Sequence, residues 1–148
     1  MKKKIFFNKP FINKAARHNI LKVIKNMNFI DGIFQKKCEN YIKKKIKSSS
    51  VKLTNSCTSA LEIAMILINL KKGDEVIIPA HTYCASAIPF ARQGAQIIWS
   101  DINFYTRVVD INDIIKKINS KTKAILIVHL YGFACDFRKL INICKKKK

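Results

Sequence analysis

Glycine and acidic residues are scarce in this sequence, and long apolar runs are absent. The chain has 4 glycines in 148 residues and contains neither G-x-G-x-x-G nor G-x-x-x-x-G-K, so nucleotide binding through these motifs is not indicated. No apolar run approaches the ~18 to 20 residues of a membrane-spanning helix, and the longest, at 124–134, is interrupted by His129. The apolar stretch behind the basic start ends at Asn8, too early for a secretory signal. We therefore expect a soluble, cytoplasmic chain without a membrane partner.

Paired cysteines are also lacking. The five cysteines stand at positions 38, 57, 84, 135 and 144, with no C-x-x-C pair and no nearby histidine partner. This spacing favours neither a zinc site nor a disulfide framework. We expect no metal site and free thiols that are mostly buried.

The shortage of acidic residues produces a large positive charge. The chain has 29 Lys and Arg against 9 Asp and Glu, a formal net charge of +20, which is typical of proteins that bind nucleic acids. The lysines are spread along the chain, however, and occur with abundant Ile and Asn, which share A/T-rich codons with Lys. We favour base composition as the origin of the charge. Nucleic-acid binding is the alternative, and its affinity would fall steeply with salt.

The apolar spacing predicts an N-terminal helical segment, 1–50, followed by an α/β domain, 51–148. Helical spacing occurs at 14–27, 34–46, 57–70, 82–93, 110–118 and 136–145. Nearly continuous apolar strands occur at 75–79, 96–100 and 124–128. Pro89 should kink its helix or shift the start of that helix, and Gly94 should end it. The alternation of strand and helix predicts a mainly parallel sheet with helices on both faces, whose ligands bind at the carboxyl ends of the strands.

Hydroxyl side chains cluster at the start of the helix 57–70, at Ser56, Thr58 and Ser59. The first turn of a helix has unpaired N–H groups and a partial positive charge, so hydroxyls there can join the amides in holding a phosphate. An ordinary Ser/Thr N-cap explains the same residues. On these residues alone, both interpretations stay open.

Two runs of the sequence resemble the DegT/StrS type of sugar-nucleotide aminotransferases: TNSCTSALEIAMILINLKKGDEVIIPAHTYCASAIPFARQGAQIIWSDI and SKTKAILIVHLYGFACDFRKL. The motifs GDEVI-P, GA and VHLYG occur in the order typical of that family, and the resemblance covers about 6–148. It implies the N-terminal part of the large domain of a pyridoxal 5'-phosphate (PLP) enzyme of fold type I. The variant SCT-S and the segment 34–38 are most similar to the branch that aminates TDP-4-keto-6-deoxyglucose for surface polysaccharide or lipopolysaccharide synthesis.

The resemblance also implies roles for particular residues. Thr58 and Ser59 match contacts to the cofactor phosphate, and Tyr83 matches the aromatic ring that stacks on the pyridine face, where a core aromatic is the alternative. His129 and Tyr131 match positions near the cleft but carry no assigned role, and a core histidine is the expectation for His129. We expect Asp101, at the end of a strand, to be structural.

The same resemblance implies partners that this chain does not itself specify. These are a nucleotide-linked keto-deoxysugar, an amino-acid donor of the amino group, and a second subunit in a homodimer. In the family, the lysine that carries the cofactor and the acid beside the ring nitrogen lie further along than the stretch matched here, so we assign no catalytic residue. Two alternatives stay open: a truncated remnant without catalytic activity, and a dehydrating family member that has histidine in place of the lysine.

Overall fold

The computed structural model describes residues 5–136 and 138–146. The chain divides into two compact units, Met1–Leu53 and Thr54–Lys148, and each is described by itself below. Among the described helices, none is both long enough and apolar enough to cross a membrane.

The first unit contains two helices, α1 (Lys14–Lys25) and α2 (Ile33–Ile46). The Asn13 side chain caps α1 and accepts a hydrogen bond from the Ala16 N–H at 2.7 Å. Helix α1 ends two residues before the predicted limit, because Met27 has a left-handed backbone with φ of 50°. Neither helix contains a buried residue, so the apolar side chains of this unit are largely exposed.

The second unit alternates helices with strands. Its elements are α3 (Cys57–Leu67), β1 (Glu75–Pro79), a 3-10 turn (Cys84–Ser86), α4 (Ile88–Arg92), β2 (Gln96–Ser100), α5 (Ile111–Lys117), β3 (Thr122–Ile125), a second 3-10 turn (Leu130–Gly132) and α6 (Arg138–Lys146). Strands β1 and β2 have the bounds that the sequence predicts. The α/β architecture is therefore confirmed.

The sheet has the strand order β2-β1-β3, and both pairings are parallel. The central strand β1 is buried along all five residues. Its side chains alternate between two cores: Val76 and Ile78 face a cluster that includes Phe90 from α4, whereas Ile77 faces a cluster that includes Ile114 from α5. Because both faces of β1 are covered, the residues after Glu75 form a continuous apolar run, with Val76, Ile77 and Ile78 fully buried.

Pro89 shifts the start of its helix, as expected. In place of one helix over 82–93, the chain forms the turn at Cys84–Ser86 and then the short helix α4, with Pro89 in the first turn. Proline is tolerated there because the first N–H groups of a helix have no partner within it. Gly94 follows α4 with φ of 88°, the conformation expected of the residue that ends a helix.

The predicted end of helix α3 is wrong. Helix α3 ends at Leu67 rather than at residue 70, because Asn69 adopts a left-handed backbone with φ of 52°. The N–H groups of Asn69 and Leu70 then bond to carbonyls of the last turn, at Ile66 and Met65, in the arrangement of a Schellman motif. Asparagine can take the position that glycine usually occupies, but it marks the end of a helix less clearly than glycine does.

Strand β3 spans Thr122–Ile125 rather than the predicted 124–128. It is an edge strand, and its pairing follows β1, from Glu75↔Thr122 to Ile77↔Ile125. The apolar run continues beyond Ile125, and Leu126 and Ile127 pack, partly buried, against one of the two cores each. Burial alone therefore does not mark where this strand ends. The start predicted for α6, at Asp136, is also early, because Asp136 precedes the helix; residue 137 lies outside the described residues.

The expectation that the thiols are mostly buried is wrong. Cys135 is buried, but the cysteines at positions 38, 57, 84 and 144 are exposed. Cys57 lies in the first turn of α3 and Cys84 begins a 3-10 turn. At both positions the side chain is exposed to solvent and does not pack into a core.

Candidate functional site

The carboxyl ends of β1 and β2 lie side by side at one edge of the sheet. Pro79 is in register with Ser100, and the Ala80 N–H donates to the Ser100 carbonyl at 2.8 Å. The segment that carries Tyr83 and the segment that begins at Asp101 therefore leave the sheet as neighbours. In sheets of this type, ligands bind at that edge.

The N-terminus of α3 is capped by Ser56. The Ser56 Oγ accepts a hydrogen bond from the Ser59 N–H at 3.1 Å, and the hydroxyls of Ser56 and Ser59 are 3.0 Å apart. The N-cap interpretation is thus correct for Ser56. It does not account for Thr58, which lies half-buried in the same turn.

Donors in this first turn of α3 are left without a partner. In the part of the chain that the structure describes, no hydrogen bond uses the Thr58 hydroxyl or the backbone N–H groups of Cys57 and Thr58. The unpaired N–H groups give this end of the helix its partial positive charge. Donors of this kind fit an anion such as a phosphate, whereas the Ser59 hydroxyl is already engaged with the cap.

Tyr83 lies four residues beyond β1 and is 77% exposed, so its ring is not part of a core. It immediately precedes the turn at Cys84–Ser86, and its carbonyl accepts a hydrogen bond from the Ser86 N–H at 2.9 Å. The Thr82 and Ser86 hydroxyls, 2.8 Å apart, hold the same turn, which packs against α3. The turn therefore presents a free aromatic face from a fixed backbone.

His129, Tyr131 and Asp101, the other positions considered in the sequence, differ in their contacts. His129 is exposed, and its Nδ1 accepts a hydrogen bond from the Cys135 N–H at 3.1 Å, so the expectation of a core histidine is wrong. Tyr131 is 81% exposed, and its ring meets that of His81 edge to face at 6.3 Å. Asp101 bonds through its Oδ1 to the Ile102 N–H at 2.8 Å, which fits the structural role expected for it.

A carboxylate that the sequence did not single out fixes the end of β2. The Asp113 Oδ2 accepts hydrogen bonds from the Ser100 hydroxyl at 2.9 Å, the Asp101 N–H at 2.7 Å and the Lys117 Nζ at 2.7 Å. The bond from Lys117 is the main cause that lowers the pKa of Asp113 to about 2, and the Asp101 and Ser100 donors act in the same direction against partial burial. Lys117 also donates to the Trp99 carbonyl at 2.8 Å. These bonds hold the carboxyl end of β2 against α5.

This architecture occurs in a solved protein from Streptococcus pneumoniae that is described as a sugar aminotransferase in its pyridoxamine-phosphate (PMP) form. The two superpose with a TM-score of 0.90 at 30% identity, over 98% of this chain and 37% of that one. The fold is therefore that of the N-terminal part of a PLP-dependent transferase. The profile of the DegT/DnrJ/EryC1/StrS aminotransferase family matches residues 10–148, and the chain belongs to this family.

Two curated relatives are named for different sugar nucleotides. The chain is 41% identical over 87 residues to GDP-perosamine synthase of Vibrio cholerae, and 42% identical over 89 residues to dTDP-3-amino-3,6-dideoxy-alpha-D-galactopyranose transaminase of Aneurinibacillus thermoaerophilus. Each match covers 59% of this chain and 24% of the relative. The chain thus spans about a quarter of the length of these relatives. The name of the first contains a GDP-linked sugar and the name of the second a dTDP-linked sugar.

Proposed function

We propose that this chain supplies the phosphate-binding end and the ring-stacking face of the site of a PLP-dependent sugar-nucleotide aminotransferase. The observation that carries the proposal is the first turn of α3, where the Thr58 hydroxyl and two backbone N–H groups have no hydrogen-bond partner among the described residues. A helix terminus with free donors suits a dianionic phosphate, both because of its partial charge and because of its geometry. Membership of the family makes the cofactor phosphate the natural anion.

Within this site, Thr58 donates a hydrogen bond to the phosphate, and the Cys57 and Thr58 amides point toward it. Ser59 takes part only if its hydroxyl turns away from Ser56. The exposed Tyr83 ring covers one face of the pyridine ring, keeps water from that face and restricts tilting of the ring. PLP, when bound, supplies the electron sink and the carrier of the amino group.

The complete reaction needs groups from outside these 148 residues. The proposed activity is the transfer of an amino group from an amino acid to the keto carbon of a nucleotide-linked deoxysugar, in the cytoplasm and for surface polysaccharide or lipopolysaccharide synthesis. By the family resemblance, the lysine that holds the cofactor, the acid that keeps its ring nitrogen protonated and a second subunit complete the site. The TDP-4-keto-6-deoxyglucose 4-aminotransferase branch is our assignment within the family.

Binding of PMP tests the cofactor site directly. PMP has no aldehyde, so it cannot react covalently with the many lysines of this chain, and pyridoxamine is the same ring without the phosphate. We expect the chain to bind PMP more tightly than pyridoxamine in equilibrium dialysis. Thr58→Val should weaken PMP alone, whereas Tyr83→Ala should weaken both ligands. Ser49→Ala is the control, because Ser49 is an exposed hydroxyl outside the proposed site.

Equal affinities for PMP and pyridoxamine would refute the phosphate site. If Tyr83→Ala bound PMP and pyridoxamine as tightly as the unchanged chain does, the stacking role would be refuted. An affinity that falls steeply with salt for oligonucleotides but not for PMP would favour the nucleic-acid alternative.

The intact mass of the protein from its own cells, taken after borohydride reduction, separates the enzyme from the remnant. A mass above twice 17.0 kDa with a cofactor-sized increment on one lysine supports a complete aminotransferase. A mass of 17.0 kDa without an increment supports a non-catalytic remnant. A larger mass with no lysine adduct, but with bound PLP, supports the dehydrating alternative.

A further inference from the structure

The segment between β2 and α5 forms a small hairpin, residues 101–110, at the same edge of the sheet as Tyr83. Its base is closed by an antiparallel bridge between Ile102 and Val109 and by the Asp110 N–H, which donates to the Asp101 carbonyl at 2.9 Å. Val109 is 3% exposed and belongs to one of the two cores. The base of the hairpin is therefore anchored in the fold.

Asn103 fixes the tip of the hairpin. Its Oδ1 accepts hydrogen bonds from the Tyr105 and Thr106 N–H groups, both at 3.0 Å, and its carbonyl accepts one from the Arg107 N–H at 2.9 Å. The Asn103 N–H in turn donates to the Val108 carbonyl at 2.8 Å. Hydrogen bonds thus fix the backbone of the tip at each of these positions.

The tip presents two aromatic rings and a guanidinium to solvent. Phe104 is 70% and Tyr105 is 89% exposed, and their rings meet edge to face at 5.5 Å. The Arg107 guanidinium lies 4.8 Å from the centroid of Phe104. The two carboxylates of the hairpin stand at its base, where Asp101 bonds to its neighbour and Asp110 caps α5, so the tip itself carries only positive charge.

We propose that this tip binds the nucleoside diphosphate part of the sugar-nucleotide substrate, an inference that rests on the function proposed above. An exposed aromatic ring on a fixed backbone offers a stacking face to a nucleobase. A guanidinium beside it offers paired donors to the diphosphate. Tyr105 stacks on the base, and Arg107, oriented by Phe104, pairs with the phosphate oxygens.

The position of the hairpin fits this role. Asp101 follows the strand residue whose carbonyl bonds to Ala80, and Tyr83 lies three residues beyond Ala80. The proposed cofactor face and the proposed nucleotide clamp thus arise from neighbouring strand ends. A substrate held by its nucleotide at the hairpin would direct its sugar along the same edge, toward the cofactor.

The test compares GDP, dTDP and inorganic pyrophosphate as ligands of the 148-residue chain, measured by ligand-observed NMR titration. Pyrophosphate has the charge but no base, so it reports how much binding comes from the lysines and from Arg107 alone. We expect Tyr105→Ala to weaken GDP and dTDP about five-fold or more and to leave pyrophosphate unchanged, in line with stacking at the low end of its usual strength. Arg107→Gln should weaken all three ligands. Arg107→Lys should restore only part of the loss, because it keeps the charge but not the paired donors.

The chain provides a matched control pair on α2. Tyr41 is 63% exposed, and the Lys45 Nζ lies 5.8 Å from its ring centroid, so this pair repeats the chemistry of the tip at another place. Tyr41→Ala and Lys45→Gln should leave binding of all three ligands unchanged. Circular dichroism of each variant confirms that the fold is retained.

Several results would overturn the proposal. These are no difference in affinity between GDP and pyrophosphate, equal loss in the Tyr41 and Tyr105 variants, and no binding of either nucleotide. Binding of another protein to the tip, with unchanged nucleotide affinity in the variants, would identify it as a protein contact instead. PMP binding should be unaffected by every hairpin variant, so loss of the cofactor site and loss of the nucleotide clamp are separately observable.

Discussion

Removing the Asp113 carboxylate should destabilise the second unit more than removing an exposed carboxylate does. In Asp113→Ala, the Ser100 hydroxyl, which is 1% exposed, loses its 2.9 Å acceptor and keeps only a 3.5 Å contact to the Asp101 carbonyl. A buried polar group left unpaired costs about 1–3 kcal/mol. The partly exposed ion pair with Lys117, at 2.7 Å, adds up to about 1 kcal/mol. We expect the free energy of unfolding to fall by about 2–3 kcal/mol.

The pH dependence of this effect follows from the pKa of Asp113, which is lowered from 3.8 to about 2. A carboxyl group with a lower pKa in the folded state stabilises the fold above its unfolded pKa, and this stability is lost as the pH falls through the folded pKa. The full shift corresponds to about 2 kcal/mol, and solvent around a side chain that is 22% exposed reduces it to roughly 1 kcal/mol. The difference between the unchanged chain and Asp113→Asn should thus be complete above about pH 4 and shrink toward pH 2.

Urea unfolding followed by circular dichroism, repeated from pH 7 down to the lowest pH at which the chain folds, measures both effects. Glu62→Ala is the control, because the Glu62 and Arg92 charges are 3.9 Å apart and their side chains are 45% and 76% exposed. Such a pair is expected to contribute less than about 1 kcal/mol. A loss in Asp113→Ala no larger than in Glu62→Ala, or a difference for Asp113→Asn that stays constant down to pH 3, would refute the role assigned to this network.

Three further outcomes follow from single positions. Ser56→Ala removes the cap of α3 and should lower the free energy of unfolding by about 1 kcal/mol in urea; no change would contradict the capping role. Gly94→Ala should destabilise the fold more than Gly73→Ala in the same assay. Both glycines have φ near 90°, so alanine is strained at either position, but only at Gly94 would the added Cβ also lie 3.1 Å from the Lys72 side chain. Cys135 should be the slowest of the five thiols to react with iodoacetamide, as mapped by mass spectrometry, because burial raises the pKa of its thiol and only the thiolate reacts; equal rates at all five would show that its burial is transient.

The parts of the fold that are local in sequence were predictable. Strand β1 is covered on both faces, so all of it after Glu75 is apolar, and the turn residues Gly73 and Asp74 precede it. The N-terminus of α3 was predictable for the same reason: Ser56 and Ser59 are three residues apart, and their contact needs no other element. Edge strand β3 was misplaced because its limits depend on β1 rather than on its own apolarity.

The parts that depend on distant contacts were not predictable. Asp113 bonds to a hydroxyl 13 residues away, and nothing in a helix-forming stretch marks one carboxylate as buried against a strand end. The aromatic tip of the hairpin was overlooked, although Asn103 followed by two aromatic residues and a threonine, between two aspartates, is a recognisable turn signal. The exposure of Tyr83 and His129 depends on how the turns at the sheet edge pack, which neither composition nor periodicity encodes.

The strand order of the sheet also affects how the protein is made. Strand β1, whose Val76, Ile77 and Ile78 are fully shielded in the finished sheet, is synthesised before either of its neighbours. At about 5–20 residues per second, the last residue of β3 is added roughly 2 to 9 s after the last residue of β1. During this interval the most apolar segment of the second unit has neither partner in full, and its best protection is a chaperone or the ribosome surface. Slower translation between 79 and 125 should therefore raise the aggregated fraction without changing a single native contact.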